Sequence, residues 1–190
     1  MVMFLHGFGE RGADGRTQLT VGLAPLISAR SKSPKPVEFV ALFPQAYSGG
    51  WNPESADGLL AMKVLERVQA QYRIDVDRIY LTGISNGASG VWQLAAKYPD
   101  KWAAIVPIGG AANPAIASVI KDIPCWCFHG TADTTFEAEI PRKMITALRA
   151  AGGNPKYTEY TSRGHDIWLK PYLQPELNGW LLGQKRASTN

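Results

Sequence analysis

The chain has 190 residues, a length typical of one domain with a single well-buried core. Hydrophobic residues make up 45% of the chain and charged residues 19%, which excludes an intrinsically disordered protein. The formal net charge of +4 comes from lysine and arginine residues scattered along the chain, so we expect no nucleic-acid-binding surface. No run of about 18 apolar residues occurs, so no membrane-spanning segment is predicted.

Short apolar runs alternate with longer stretches of helical periodicity. In chain order, the apolar runs predict strands at residues 2–5, 37–43, 78–82, 103–108, 124–128 and 156–160. The periodic stretches predict a helical turn within 18–28 and helices at 57–72, 85–98, 137–151 and 175–182. Asp57 is placed to cap the first of these long helices. This alternation predicts an α/β fold with right-handed crossovers, in which a mostly parallel sheet is covered by helices on both faces.

No linker or internal repeat divides the chain, so we expect one domain over residues 1–190. The sequence starts directly with a predicted strand and shows no charged leader typical of a signal peptide. We therefore expect that this sequence is the C-terminal part of a longer protein.

The two cysteines, Cys125 and Cys127, lie two residues apart in an apolar run that is predicted to be a strand. At this spacing both side chains share one face of the strand, but the extended backbone holds them apart, so a disulfide between them would be strained. We interpret both as small buried apolar residues, and we predict neither a disulfide framework nor a metal site.

A serine, Ser85, lies between a predicted strand and a predicted helix in the sequence Gly-Ile-Ser-Asn-Gly at 83–87. This pattern in this context predicts a nucleophile elbow, a sharp turn that strains the serine backbone and lifts Oγ above the sheet. Glycines flank the serine because side chains there would collide with the neighbouring strand and helix. We predict that Ser85 is a nucleophile.

A nucleophilic serine needs a base, and the chain has three histidines. His6 and His129 each end a predicted strand before a glycine, and we interpret both as histidines that bond to loop backbone. His165 lies in the loop between the last predicted strand and the last helix. From this loop its imidazole can reach Ser85, so His165 is the predicted base.

The third group should be an acid at the end of a strand, between the serine and the histidine in the chain. Asp133 follows the predicted strand at 124–128 and is the predicted orienting carboxylate, with Glu137 and Asp166 as alternatives. The order Ser, Asp, His is typical of α/β-hydrolases.

Backbone N–H groups should face the oxyanion of the tetrahedral intermediate. One predicted donor is Asn86, directly after the nucleophile, and the other is Phe8, in the glycine-rich sequence after the first strand. Trp51, in a long loop, and Trp168, close to His165 in the chain, are expected to line the site as rigid apolar walls that contact substrate.

Several segments together resemble a known family: the elbow, the sequence Met-Phe-Leu-His-Gly-Phe-Gly-Glu-Arg-Gly at 3–12, and the segments 123–133 and 164–168. They resemble bacterial α/β-hydrolase esterases that are often labelled phospholipase/carboxylesterase or "predicted peptidase", a group close to feruloyl esterases and polyhydroxybutyrate-depolymerase-like enzymes. The resemblance runs from residue 2 to about residue 183. It implies the α/β-hydrolase fold and ester hydrolysis through an acyl-serine intermediate, without a cofactor or a metal.

Matched residue by residue, the resemblance places the nucleophile, the acid and the base at Ser85, Asp133 and His165. Asn86 stands where the group usually has methionine. The group's opening strands, before Val2, are missing from the sequence, so the strand at 37–43 is expected at an exposed sheet edge. Some members of the group are secreted.

The expected substrate is a small-molecule ester or an ester linked to a polysaccharide, with a short or an aromatic acyl group such as acetyl or feruloyl. Only 13 residues separate Gly110 from Pro124, which leaves no room for a large lid domain that would suit long lipids. The alternatives are a serine peptidase that uses the same three residues and a non-catalytic binding module on a hydrolase fold. The sequence makes no prediction of the oligomeric state.

Overall fold

The structure, a computed structural model, describes residues 1–30 and 37–186. Its centre is a six-stranded sheet in the order β2-β1-β3-β4-β5-β6, and every neighbouring pair of strands is parallel. The strands are β1 Val2–Leu5, β2 Ala41–Leu42, β3 Tyr80–Ile84, β4 Ala104–Ile108, β5 Trp126–Gly130 and β6 Lys156–Tyr160. The helices are α1 Leu23–Arg30, α2 Ala56–Gln71, α3 Asn86–Lys97, α4 Ala117–Ile120, α5 Glu139–Ala150 and α6 Pro175–Gly183.

Each face of the sheet has its own apolar core. In β1, Met3 and Leu5 enter the core beneath α2, α3, α4 and α5, whereas Val2 and Phe4 enter the core beneath α1 and α6. Alternation with a period of two residues is what a strand buried on both faces requires. The predicted parallel sheet with helices on both faces is therefore confirmed. Cys125 and Cys127 are both buried and free, as the sequence predicts.

The edge strand β2 is shorter than predicted, because it comprises Ala41–Leu42 and not residues 37–43. Among the described strands it pairs with β1 alone, and the register sets Ala41 opposite Val2. Residues 37–39 therefore lie before the first residue of β1, and they have no ladder partner in the described part of the chain. The strand does lie at the sheet edge, as expected.

The start of α2 also differs from the prediction. Ser55, not Asp57, is its N-cap, and the Ser55 hydroxyl accepts the N–H of Gly58 at 3.1 Å. Asp57 is the second residue of the helix, and its carboxylate accepts backbone N–H groups of residues 47–50. The predicted turn within 18–28 is a 3₁₀ turn, Thr17–Thr20, followed by α1.

The chemically important residues all follow the carboxyl ends of strands, where parallel sheets collect their functional groups. His6 follows β1, Ser85 follows β3, Asp133 follows β5 and His165 follows β6. Between β4 and β5 the chain forms only a short 3₁₀ turn, Pro114–Ile116, and α4. None of the helices in the described ranges is both long and apolar enough to cross a membrane.

Candidate active site

Ser85 occupies a strained turn between β3 and α3. Its φ of 52° and ψ of −120° lie in a region that residues other than glycine rarely adopt. Two glycines make the turn possible: a Cβ on Gly87 would lie 2.0 Å from the carbonyl oxygen of Leu5, and a Cβ on Gly83 would lie 2.6 Å from that of Gly87. Strand and helix can therefore meet closely, and the partly exposed serine stands at the carboxyl edge of the sheet.

The structure brings the three predicted residues of the site into direct contact. Nε2 of His165 lies 2.8 Å from Oγ of Ser85, and its Nδ1 lies 2.7 Å from Oδ2 of Asp133. These distances suit a neutral imidazole whose Nδ1–H donates to the carboxylate and whose Nε2 accepts the serine proton. The arrangement can activate the serine as a nucleophile.

The carboxylate of Asp133 is buried, with 5% of the residue exposed. Its Oδ1 accepts the backbone N–H groups of Thr135 at 2.8 Å and Phe136 at 2.9 Å, which fixes its orientation. The alternative acids, Glu137 and Asp166, are exposed and make no hydrogen bond to the imidazole.

Two aromatic rings flank the His165 imidazole. The ring centroid of Phe136 lies 5.5 Å from that of His165, and the centroid of Trp168 lies 5.7 Å away at nearly a right angle. Trp168 therefore lies beside the imidazole, and its contact with substrate stays a prediction. Phe136 was not singled out in the sequence, although its place three residues after Asp133 is a signal that could have found it.

The other two histidines bond to loop backbone, as interpreted. Nε2 of His6 accepts the N–H of Ala46 at 3.0 Å and its Nδ1–H donates to the carbonyl of Gly7 at 2.6 Å. Burial lowers the pKa of His6, which favours the neutral ring that this pairing needs. His129 is fully buried, and its Nε2–H donates to the carbonyl of Phe136 at 2.7 Å.

Both predicted oxyanion donors lie at helix starts beside Ser85. Asn86 is the first residue of α3, and Phe8 is the first residue of a 3₁₀ turn, Phe8–Glu10. The N–H groups at the start of a helix have no acceptor within it. A Cβ on Gly7 would lie 3.5 Å from the Ser85 Cβ, so the Phe8 loop borders the serine.

Trp51 is not a wall of the site, because the structure places it in the core with 3% of the residue exposed. Its Nε1–H donates to the carbonyl of His6 at 2.9 Å, and its ring packs edge-on against His6 at 4.9 Å. Gly90 of α3 makes room for it, since a Cβ there would lie 2.2 Å from the Cβ of Trp51. Trp51 supports the residues beneath the site.

A second carboxylate, Asp57, holds a loop that lies beside Asn86. Neither Asp57 nor this loop is predicted from the sequence to belong to the site. We call residues 47–50 the clamp loop. The Asp57 carboxylate accepts all four of its backbone N–H groups at 2.8 to 3.3 Å. Burial alone would raise the pKa of Asp57, but these four donors lower it below its ordinary value of 3.8.

Within the described part of the chain, no group of three or more His, Cys, Asp or Glu side chains could hold a metal ion.

Comparison with known proteins relates this fold and geometry to esterases. Residues 44–125 match the model of the family described as Esterase PHB depolymerase. Over 101 residues the chain is 27% identical to poly(3-hydroxyalkanoate) depolymerase C of Paucimonas lemoignei, covering 46% of this chain and 24% of that protein. Over 95 residues it is 30% identical to probable acetylxylan esterase A of Aspergillus clavatus, covering 48% of this chain and 29% of that protein.

The crystal structure of a thermostable esterase superposes with a TM-score of 0.88 at 31% identity. The superposition covers 97% of this chain and 54% of the esterase, so the chain spans about half the length of that protein. It spans less than a third of the length of the two relatives named above. The predicted α/β-hydrolase fold and the predicted resemblance to esterases are confirmed.

Proposed function

We propose that this α/β-hydrolase chain, which is similar to esterases of the PHB depolymerase type, is a serine carboxylesterase. The observation that carries the proposal is the continuous contact from Ser85 Oγ through the His165 imidazole to the Asp133 carboxylate. Residues 1–190 act as one catalytic domain.

Each group has one role in the proposed reaction. Nε2 of His165 takes the hydroxyl proton of Ser85 while Oγ forms a bond to the ester carbonyl carbon, whose π electrons move to oxygen. The resulting oxyanion faces the N–H groups of Asn86 and Phe8. Collapse expels the alcohol, which leaves with the proton from His165. Water then repeats the sequence, releasing the carboxylic acid and restoring the serine.

The surroundings of the serine support the proposed substrate class. Short segments border the described site, and the 111–123 connection is too short to form a cap over long lipids. Phe136 and Trp168 offer aromatic faces beside the imidazole. These features suit esters with acetyl or aromatic acyl groups, either free or linked to a polysaccharide.

The test is hydrolysis of p-nitrophenyl esters of increasing acyl length and of methyl ferulate, with Ser85→Ala as the matched control. Turnover that peaks at short or aromatic acyl groups and is lost in Ser85→Ala supports the proposal. Absence of turnover with every ester, or retention of turnover in Ser85→Ala, contradicts it.

A further inference from the structure

The residue directly after the nucleophile, Asn86, carries a polar side chain that the proposed reaction does not use. Asn86 directly follows Ser85 and is partly exposed. Within the described ranges its carboxamide has no hydrogen-bond partner. A carboxamide carries two N–H donors and one oxygen acceptor, so this capacity is available to a ligand.

The clamp loop is fitted closely to this carboxamide. Gly50 has a φ of +97°, and a Cβ there would lie 2.6 Å from Oδ1 of Asn86. Asp57 holds the loop through its four backbone N–H groups, and Nη1 of Arg11 donates to the carbonyl of Ser48 at 2.5 Å. The loop is thus anchored from two sides, and it presents a preorganised wall against which the carboxamide rests.

We propose that the Asn86 carboxamide is a specificity-determining group that hydrogen-bonds to a hydroxyl close to the scissile ester bond. The inference rests on the proposed ester hydrolysis and adds to it a preference for hydroxylated esters. Methionine at this position would offer no N–H donor and only a weak sulfur acceptor, so Asn86→Met removes the proposed contact.

The experiment compares matched esters in which a hydroxyl replaces a methyl group. On the alcohol side the pair is 2-hydroxyethyl butyrate and propyl butyrate, and on the acyl side it is ethyl lactate and ethyl isobutyrate. For each pair, kcat/KM of the hydroxylated ester is divided by that of the methyl ester. The proteins are the unchanged chain, Asn86→Met, and Asn178→Met on α6, on the opposite face of the sheet from α3.

We expect Asn86→Met to lower this ratio about fivefold in at least one pair, which corresponds to the loss of one hydrogen bond between neutral groups. Asn178→Met should leave both ratios unchanged. General damage to the site would slow both members of a pair alike and would not move the ratio. A fall in the first pair assigns the contact to the alcohol side, and a fall in the second assigns it to the acyl side.

Ratios that stay the same in both pairs, while the esters are still hydrolysed, overturn the role of Asn86 and leave the proposed function standing. Failure of the unchanged chain to hydrolyse any ester overturns both.

Discussion

Nδ1 of His165 lies 2.7 Å from Oδ2 of Asp133, and the other oxygen of that carboxylate is held by two backbone N–H groups. Because these bonds fix the carboxylate, Oδ2 is the oxygen that it presents to the ring. The bond to Nδ1 orients the imidazole so that its Nε2 lies 2.8 Å from Oγ of Ser85. In the proposed reaction the same carboxylate stabilises the imidazolium that forms when the serine attacks.

Asp133→Asn tests this relationship. The amide would place an N–H donor opposite Nδ1 and favour the wrong imidazole tautomer, so we expect kcat/KM for a good ester to fall about 10⁴-fold. Asp122→Asn is the matched control, because the Asp122 side chain is 83% exposed and, of the residues that the structure describes, pairs only with Lys121. A loss below about tenfold in Asp133→Asn would favour Glu137 or Asp166 as the acid.

The pH profile tests His165 as the base. Only the neutral imidazole can take the serine proton, so binding of a proton to His165 removes the base. We expect kcat/KM to fall as the pH is lowered from neutral, with a limiting slope of about tenfold per pH unit. Circular dichroism at each pH shows whether the fold persists. A rate that stays constant down to about pH 5 would contradict the role of His165.

Asp57→Asn tests the clamp loop through stability. The amide cannot accept four N–H groups as the carboxylate does, so we expect the free energy of unfolding to drop by about 2 kcal/mol at pH 7. The pKa of Asp57 lies below 3.8 in the folded protein, so its stabilisation is complete above about pH 4 and is lost as the pH falls further.

Urea unfolding of the unchanged chain and of Asp57→Asn, each at pH 7 and pH 3, checks this prediction. The difference between the two proteins should shrink at pH 3, and Asp122→Asn should show no such difference at either pH. Equal stability of Asp57→Asn and the unchanged chain at pH 7 would show that the clamp loop does not depend on the carboxylate.

Gly87→Ala tests the close approach at the elbow. A Cβ at Gly87 would lie 2.0 Å from the backbone oxygen of Leu5, which cannot move without displacing β1. We expect a loss of about 3 kcal/mol or more in unfolding free energy. Gly9→Ala is the control, since a Cβ there meets nothing within 4 Å. Thermal unfolding of both variants measures the effect, and similar midpoints for the two would contradict the prediction.

Local patterns predicted the sheet well, because alternating apolar residues and strand-end glycines reflect contacts that every buried parallel strand must make. The predicted limits of β2 are wrong, because only Ala41 and Leu42 pair with β1, although β1 itself continues to Leu5. The sequence predicts Asp57 as the cap of α2, but the Asp57 carboxylate accepts N–H groups of residues 47–50 and Ser55 caps the helix.

The site residues on the elbow and the strand ends follow from chain order, but their surroundings depend on contacts between distant segments. Trp51 is predicted to face substrate, but it packs in the core. The space that it fills exists because residue 90, which is 39 residues later in the sequence, is a glycine. Phe136 lies beside the imidazole in a turn that Asp133 Oδ1 holds by accepting the N–H groups of Thr135 and Phe136. Neither packing arrangement leaves a periodic signal in the sequence.

Covalent labelling tests the central claim most directly. A fluorophosphonate phosphonylates an activated serine: Oγ bonds to phosphorus and fluoride leaves. The intact mass of the treated chain, followed by peptide mapping, therefore shows which residue is the nucleophile. We predict one adduct per chain, located on Ser85, absent in Ser85→Ala and formed much more slowly in His165→Ala. An adduct on another residue, or no adduct in a folded chain, would contradict the account.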